Sequence, residues 1–184
     1  MMGIDHQMTT GPSDKDRPPY GTCGRDWFGV SWSYVDVVGG QTVTPNTFIM
    51  KDMSNWRNEF IFPDLDKIDF SAGREEAEKK LSPDKITGYV MQDGLFERLM
   101  SLCPTEEGLA WMIEEPEDAA DFFNAMADYK IAMIHKLMKE WVHIDMIINS
   151  DDWGTQMSTF MSPSVYEELI LPPMKRIGEV VKSY

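Results

Sequence analysis

The stretch Ile144-Asp-Met-Ile-Ile-Asn-Ser-Asp-Asp-Trp-Gly-Thr-Gln-Met-Ser-Thr-Phe-Met-Ser-Pro163 decides how this chain is read. A short apolar run, Ile144 to Ile148, stops at polar residues and two adjacent acids, Asp151 and Asp152. An apolar run of that length, bounded by turn residues, reads as a buried strand. Gly154 and Gln156 follow, and Ser162-Pro163 starts a helix, since Ser caps well and Pro at the first helical position loses no needed N–H. The segment therefore reads as a strand that delivers carboxylates and an amide to the carboxyl end of a sheet, where α/β proteins bind ligands. The plainer alternative is an acidic turn that caps a helix. The crowding of Asp151, Asp152, Trp153 and Gln156 favours a site.

A second interior-looking strand, Lys85 to Gln92, ends in Asp93-Gly94. A helix from Leu95 to about Cys103 follows and Pro104 stops it. Thr105 can cap the next helix. Glu115-Pro116 opens the longest one, to about Trp141, with Glu114, Glu115, Glu117 and Asp118 at its positive end and Lys136 and Lys139 near its negative end. Phe122, Met126, Tyr129, Met133, Leu137 and Trp141 recur at steps of three and four, a stripe that packs on a core. Beyond Leu169, Pro172 and Pro173 break or restart the helix, and Met174, Ile177, Val180 and Val181 form another stripe.

On the amino-terminal side, residues 1–20 carry Gly11, Pro12, Ser13, Pro18 and Pro19 among mixed charges and read as an irregular arm. Val30, Trp32 and Tyr34 alternate with Ser31 and Ser33, the period of a half-buried strand, and Gly39-Gly40 turns it into a partner at Gln41–Thr44. Trp56 and Phe60 belong to a short helix, and residues 71–81 to a charged surface helix. Interior strands separated by long helices imply parallel pairing. Two or three such strands neither close a barrel nor cover both sheet faces. The expected fold is α/β, half of a larger domain or one completed by a second chain, with residues 21–184 as that partial domain.

Bulk properties narrow the function. With 184 residues, 42% hydrophobic and 26% charged, the chain can bury a core. Its net charge of −14 without a basic cluster excludes nucleic acid and disfavours anionic membranes. No apolar run is long enough to span a bilayer, and no signal peptide is visible, so a cytoplasmic location is expected. Cys23 and Cys103 are isolated, and with His6, His135 and His143 they make no metal motif.

Five elements in order resemble the uroporphyrinogen decarboxylase superfamily, and more closely its cobalamin-dependent methyltransferase branch. They are Asp26-Trp-Phe-Gly-Val-Ser-Trp32, Phe62-Pro-Asp-Leu-Asp66, Gly94-Leu-Phe-Glu97, Glu115-Pro-Glu117, and Asp151-Asp-Trp-Gly-Thr-Gln156 with Met161-Ser-Pro163, Tyr166, Pro172 and Lys175. The resemblance implies the amino-terminal half of a (β/α)8 TIM-type barrel, with the aromatic hairpin in front. It implies methyl transfer between a small methylated donor, a corrinoid protein and a thiol or folate-type acceptor. Zinc and corrinoid are implied for a complete barrel, and no cofactor for this chain alone. The Arg-Gln-Ala-Gly-Arg motif of true uroporphyrinogen decarboxylases is missing; Arg17 and Arg25 are the arginines of the first fifty residues. That argues against porphyrinogen decarboxylation, which stays as an alternative beside a non-catalytic half-barrel, an interaction subunit or a gene remnant.

On the barrel reading Asp93 and Asp152 share one mouth. Asp152 and Asp151 are the catalytic candidates, with Asp152 facing inward and Asp151 capping the following helix or pairing with a base. Gln92 and Gln156 would fix a ligand, Trp27 and Trp153 would wall it, and Arg25 would set a positive charge above it. The partners expected are a methyl donor, a corrinoid protein, and a carboxyl-terminal half-barrel chain or a second copy.

Overall fold

The computed structural model describes residues 6–9, 18–37 and 39–184. In chain order the elements are β1 (His6–Thr9), β2 (Gly24–Arg25), β3 (Ser31–Val35), β4 (Gly40–Val43), α1 (Trp56–Glu59), α2 (Arg74–Lys80) and β5 (Ile86–Met91). Then come α3 (Leu95–Leu102), α4 (Thr105–Glu114), α5 (Pro116–Glu140), β6 (Met146–Asn149), α6 (Pro163–Val165) and α7 (Leu171–Lys182).

Two sheets form, and the chain is α/β. The parallel sheet has the order β1-β5-β6, with His6 opposite Ile86 and Gly88 opposite Met146. The antiparallel sheet, β2-β3-β4, is the aromatic hairpin with one short extra strand. Residues 6–9 therefore correct the expectation of a wholly irregular arm. His-Gln-Met-Thr has no apolar period of its own; its strand exists because β5 offers it an edge. The Gln7 amide seals that edge, donating to Ser82 O and Thr87 Oγ1 and accepting from Ser82 N.

Side chains alternate across a sheet. Tyr89, Met91 and Ile147 face the helices and join the core. Met8, Gly88, Val90, Met146 and Ile148 take the other face. Gly88 is the floor of a Met8–Met146 contact: a Cβ there would lie 2.8 Å from the Met8 sulfur and 3.1 Å from Met146 Cε. This face is open, with Met8 41%, Met146 38% and Ile148 41% exposed. The run read as a buried strand is thus an edge strand with one uncovered face. It also starts later than expected, because Ile144 lies outside the ladder and packs with Ile68, Phe70, Trp141 and Val142.

α5 carries the core. Of the expected stripe, Phe122, Met126, Tyr129, Leu137 and Trp141 are buried and Met133 is half-buried; Phe123 and Ile134 widen the buried face beyond it. Aromatic edges lock it to the amino-terminal segment: Phe122 meets Trp56 at 5.3 Å and Phe62 stacks on Tyr129 at 5.2 Å. Pro172 and Pro173 do not break the carboxyl-terminal helix. The preceding turn, Tyr166–Ile170, widens to a π-helix, and both prolines fall in the first turn of α7, where missing N–H groups cost little. No helix among the described residues is long and apolar enough to cross a membrane.

Candidate functional site

The carboxyl ends of β5 and β6 lie side by side, and the chain leaves them differently. After β5, Asp93 takes a left-handed turn (φ +51°) straight into α3. Leu95, Leu99 and Leu102 point α3 at the core, and Arg98 falls on the same face. A buried guanidinium needs compensation. Arg98 Nη1 donates to Asp26 Oδ2 at 2.8 Å and Nη2 to Asp93 Oδ2 at 2.7 Å, all three side chains being almost fully buried. Its plane lies over Phe28, 3.9 Å from the ring centroid. Asp26 is further held by Val30 N at 2.9 Å and Trp32 Nε1 at 3.0 Å. Asp26–Arg98–Asp93 is therefore the rivet that joins the hairpin to the parallel sheet.

After β6, Asp151 turns back onto α3. Its carboxylate accepts from Phe96 N at 3.1 Å and Glu97 N at 2.9 Å. These are orphan donors of the α3 amino end, whose own cap, Gly94, has no side chain to offer. Asp151 thus caps a helix that precedes it by more than fifty residues, rather than the following helix. Asp152 projects the other way and stays exposed; its Oδ1 takes only a 3.3 Å bond from Gly154 N. Residues 154–159 close a tight loop through Thr155 N to Ser158 O and Phe160 N to Trp153 O.

Asp152 and Asp93 line one cavity of about 320 Å³ with Trp32, Val43, Phe96 and Phe160 among its walls. Glu97 adds a third carboxylate, and no Lys, Arg or His is among the described lining residues. A much smaller neighbouring cavity, about 20 Å³, is lined by Trp27, Gln92, Asp93, Arg98 and Lys130, where Lys130 Nζ donates to Gln92 O at 3.4 Å. It holds about one water. The structure therefore brings Asp93 and Asp152 together, and sets Gln92 and Trp27 beside them. Arg25 is exposed on β2, Gln156 is exposed on the 154–159 loop, and Trp153 packs on Tyr166 at 4.7 Å; none of the three lines either cavity. Two buried atoms at this end, Trp153 Nε1 and Asn149 Oδ1, have no hydrogen-bond partner among the described residues.

Arg98, Asp26, Phe96, Glu97 and Phe160 were not singled out from the sequence as site residues. One signal was available for Arg98: a charge on the apolar face of α3 must have a buried partner. A larger groove, about 710 Å³, lies at the opposite end, lined by Ser82–Thr87, His143 and Asp145. The Asp145 carboxyl is held below its usual range by the Thr87 N–H and then by His143, 3.0 Å away. In a parallel sheet chemistry gathers at carboxyl ends, so we place the candidate site at the smaller cavity.

Metal ligands do not converge. Among the described residues no group of three or more His, Cys, Asp or Glu could hold a metal ion. Cys103 is buried under α4 with its thiol pushed up to about 12 by burial first and Glu107 second, while Cys23 is exposed on the hairpin side. These residues do not fit a zinc site.

A parallel sheet flanked by helices, with its acids at the carboxyl strand ends, defines the class: an α/β protein whose parallel sheet is compatible with part of a (β/α)8 barrel. The uroporphyrinogen decarboxylase (URO-D) family model matches residues 91–184, just over half of the chain. The chain belongs to the uroporphyrinogen decarboxylase family. The match covers Gly94–Glu97, Glu115–Glu117 and the Asp151–Lys175 elements of the resemblance; Asp26–Trp32 and Phe62–Asp66 lie outside it. No curated protein and no solved structure matches the chain.

Proposed function

We infer that this chain supplies the amino-terminal half of a (β/α)8 barrel for methyl transfer between a small methylated donor, a corrinoid protein and a thiol or folate-type acceptor. The observation that carries the reading is the saturation of Arg98. A porphyrinogen decarboxylase must grip many carboxylates, which takes free cations. Among the described residues, the basic side chains lining the cavities at this mouth are Arg98, neutralised by Asp26 and Asp93, and Lys130, turned to a backbone carbonyl. The adjoining cavity is acidic and has room for a small ligand rather than a macrocycle. Asp152 would orient the donor and Asp93, held by Arg98, would shape the wall.

The uncovered face bearing Met8, Met146 and Ile148 supports the second part of the reading. Parallel sheets bury both faces, and barrels close by adding strands at the edge. A carboxyl-terminal half, on a longer form of this polypeptide or on a separate chain, would pair with β6, cover that face and bring any zinc ligands. The same face also favours a second reading, a half-barrel that acts only as an interaction subunit. One experiment separates them. The protein is isolated from its own source, its native mass is measured, and the isolated species is assayed with methylcobalamin and a thiol. A complex larger than the 21.1 kDa chain that demethylates methylcobalamin supports methyl transfer. A larger complex without that activity supports the interaction subunit, and decarboxylation of uroporphyrinogen overturns both.

A further inference from the structure

We propose that Phe160 is the gate of the candidate cavity, a ring with two seats. The first seat is the observed one. Phe160 stacks directly on Phe96, 25° between planes with centroids 5.7 Å apart, which leaves no room for a ligand between the two rings. The same ring lines the cavity that Asp93 and Asp152 also line. The proposal takes that cavity as the candidate site and goes beyond the methyl-transfer reading, on which it does not depend.

The second seat adjoins the same ring. A hollow of about 150 Å³ opens between α4 and the start of α6, lined by Leu109, Met112, Ile113, Met161 and Val165, with Phe160 itself as one wall. Its described lining carries no charged side chain. A dry apolar cavity of about 150 Å³ accepts a benzene ring, so both size and chemistry suit a phenyl group. The backbone around Phe160 is tied: Phe160 N donates to Trp153 O at 2.9 Å, and Thr159 Oγ1 donates to Met161 O at 2.8 Å. The move is therefore a rotation of the side chain between staggered positions, not a rearrangement of the loop. At 39% exposed, the ring is not locked by packing. Entering the hollow gives up the stack on Phe96 and buries apolar surface that water now covers. The swing widens the candidate cavity and bares one face of Phe96. The return narrows it again, as the closure of an active-site lid does.

The test is fluorine relaxation dispersion on the full chain with para-fluorophenylalanine in place of Phe160. The para position lies on the ring axis, so ring flips leave its signal unmoved. A ring that leaves a stack and enters a lined hollow makes its neighbours yield, which puts the exchange in the microsecond-to-millisecond range that dispersion reads. The expected result is exchange with a minor position that holds about 1–10% of the molecules. Val165→Phe fills the hollow and should abolish the exchange; Val165→Ala enlarges it and should raise the minor population. Val165 is half-buried, and circular dichroism checks that each variant is folded. If Val165→Phe does not fold, Val165→Ala decides alone. A fluorinated chain without exchange, or exchange that the folded variants leave unchanged, overturns the proposal. No step of the test uses methylcobalamin. Its failure leaves the methyl-transfer reading standing, and failure of the methylcobalamin assay leaves the gate standing.

Discussion

After β5 the chain turns within a single residue, Asp93, and is already helical at Leu95; after β6 it runs from Ser150 to Ser162 before α6 begins. The first exit is buried, charge-paired and committed to holding α3 and the hairpin. The second is exposed, and it presents Asp152 and Phe160 to a cavity. Two neighbouring strand ends with similar acidic sequences thus divide the work: one fixes the geometry and the other offers groups to a ligand. What separates them is the partner each acid finds. Asp93 meets a guanidinium, Asp151 meets two helix N–H groups, and Asp152 meets almost nothing.

The strongest way to break this division is to remove the rivet. Arg98→Met leaves Asp26 and Asp93 as buried carboxylates without their cation. Breaking a buried pair from one side costs about 3–5 kcal/mol, and here one arginine serves two acids. Urea unfolding should show a loss at the top of that range, and the double change Asp26→Asn with Arg98→Met should recover part of it. A loss below about 1 kcal/mol would mean that the first strand end is no more rigid than the second.

Next in size is the joint between the two exits. Gly94 has an ordinary negative φ, so its lack of a side chain is required by space alone. A Cβ there would fall 2.1 Å from Asp151 Cγ and 2.2 Å from Asp151 Cβ, so Gly94→Ala must expel the cap. Overpacking of this kind costs about 1–3 kcal/mol, and the lost cap adds about 1 kcal/mol. Amide hydrogen exchange at Phe96 and Glu97 should quicken with the substitution. Unchanged protection there would show that Asp151 does not join the two ends.

Alkali sharpens the comparison from the far end of α3. Cys103 lies under α4, with its thiol donating to Leu99 O at 3.3 Å. Its ionisation is pushed from 9.0 up to about 12, chiefly by burial. The folded protein therefore holds this proton after the unfolded chain has released it. The stabilisation is complete below pH 9.0 and fades as pH climbs toward about 12, with a slope of up to ~1.4 kcal/mol per pH unit from this group. Cys103→Ser should flatten that slope, and in the native protein thiol alkylation at neutral pH should modify Cys23 alone.

The sequence was a good guide wherever one element carried its own pattern. The α5 stripe from Phe122 to Leu137, the Val30–Trp32–Tyr34 alternation and the Asp93-Gly94 exit are local signals, and each element formed where it was expected. Legibility failed where a residue is defined by a distant partner. β1 depends on an edge about eighty residues away. The exposure of Met146 and Ile148 depends on what does not pair beside β6. The separate fates of Asp151 and Asp152 are set by whether a helix end or a cavity lies in front of each. Gln156 and Arg25 have suitable chemistry for a ligand, yet a tight loop and a short outer strand hold them off the cavity.

The smallest effects carry the sharpest contrast, because they come from adjacent residues of the same type. Asp151→Asn keeps the shape but removes a charge from the positive end of α3, and an amide can accept through only one of its two atoms where the carboxylate uses both. We expect a loss of about 1 kcal/mol in urea unfolding, with no change in methyl transfer beyond what the cap transmits. Asp152→Asn removes an exposed charge from a chain of net charge −14 and breaks only a long bond to Gly154 N. Its stability should stay within about 0.5 kcal/mol of the parent, on either side, while methyl transfer from the donor that Asp152 would orient falls. If the two asparagine variants gave equal losses of stability, the second exit would be structural like the first. If only Asp152→Asn lost methyl transfer, two neighbouring acids of one sequence would be shown to serve the fold and the site separately.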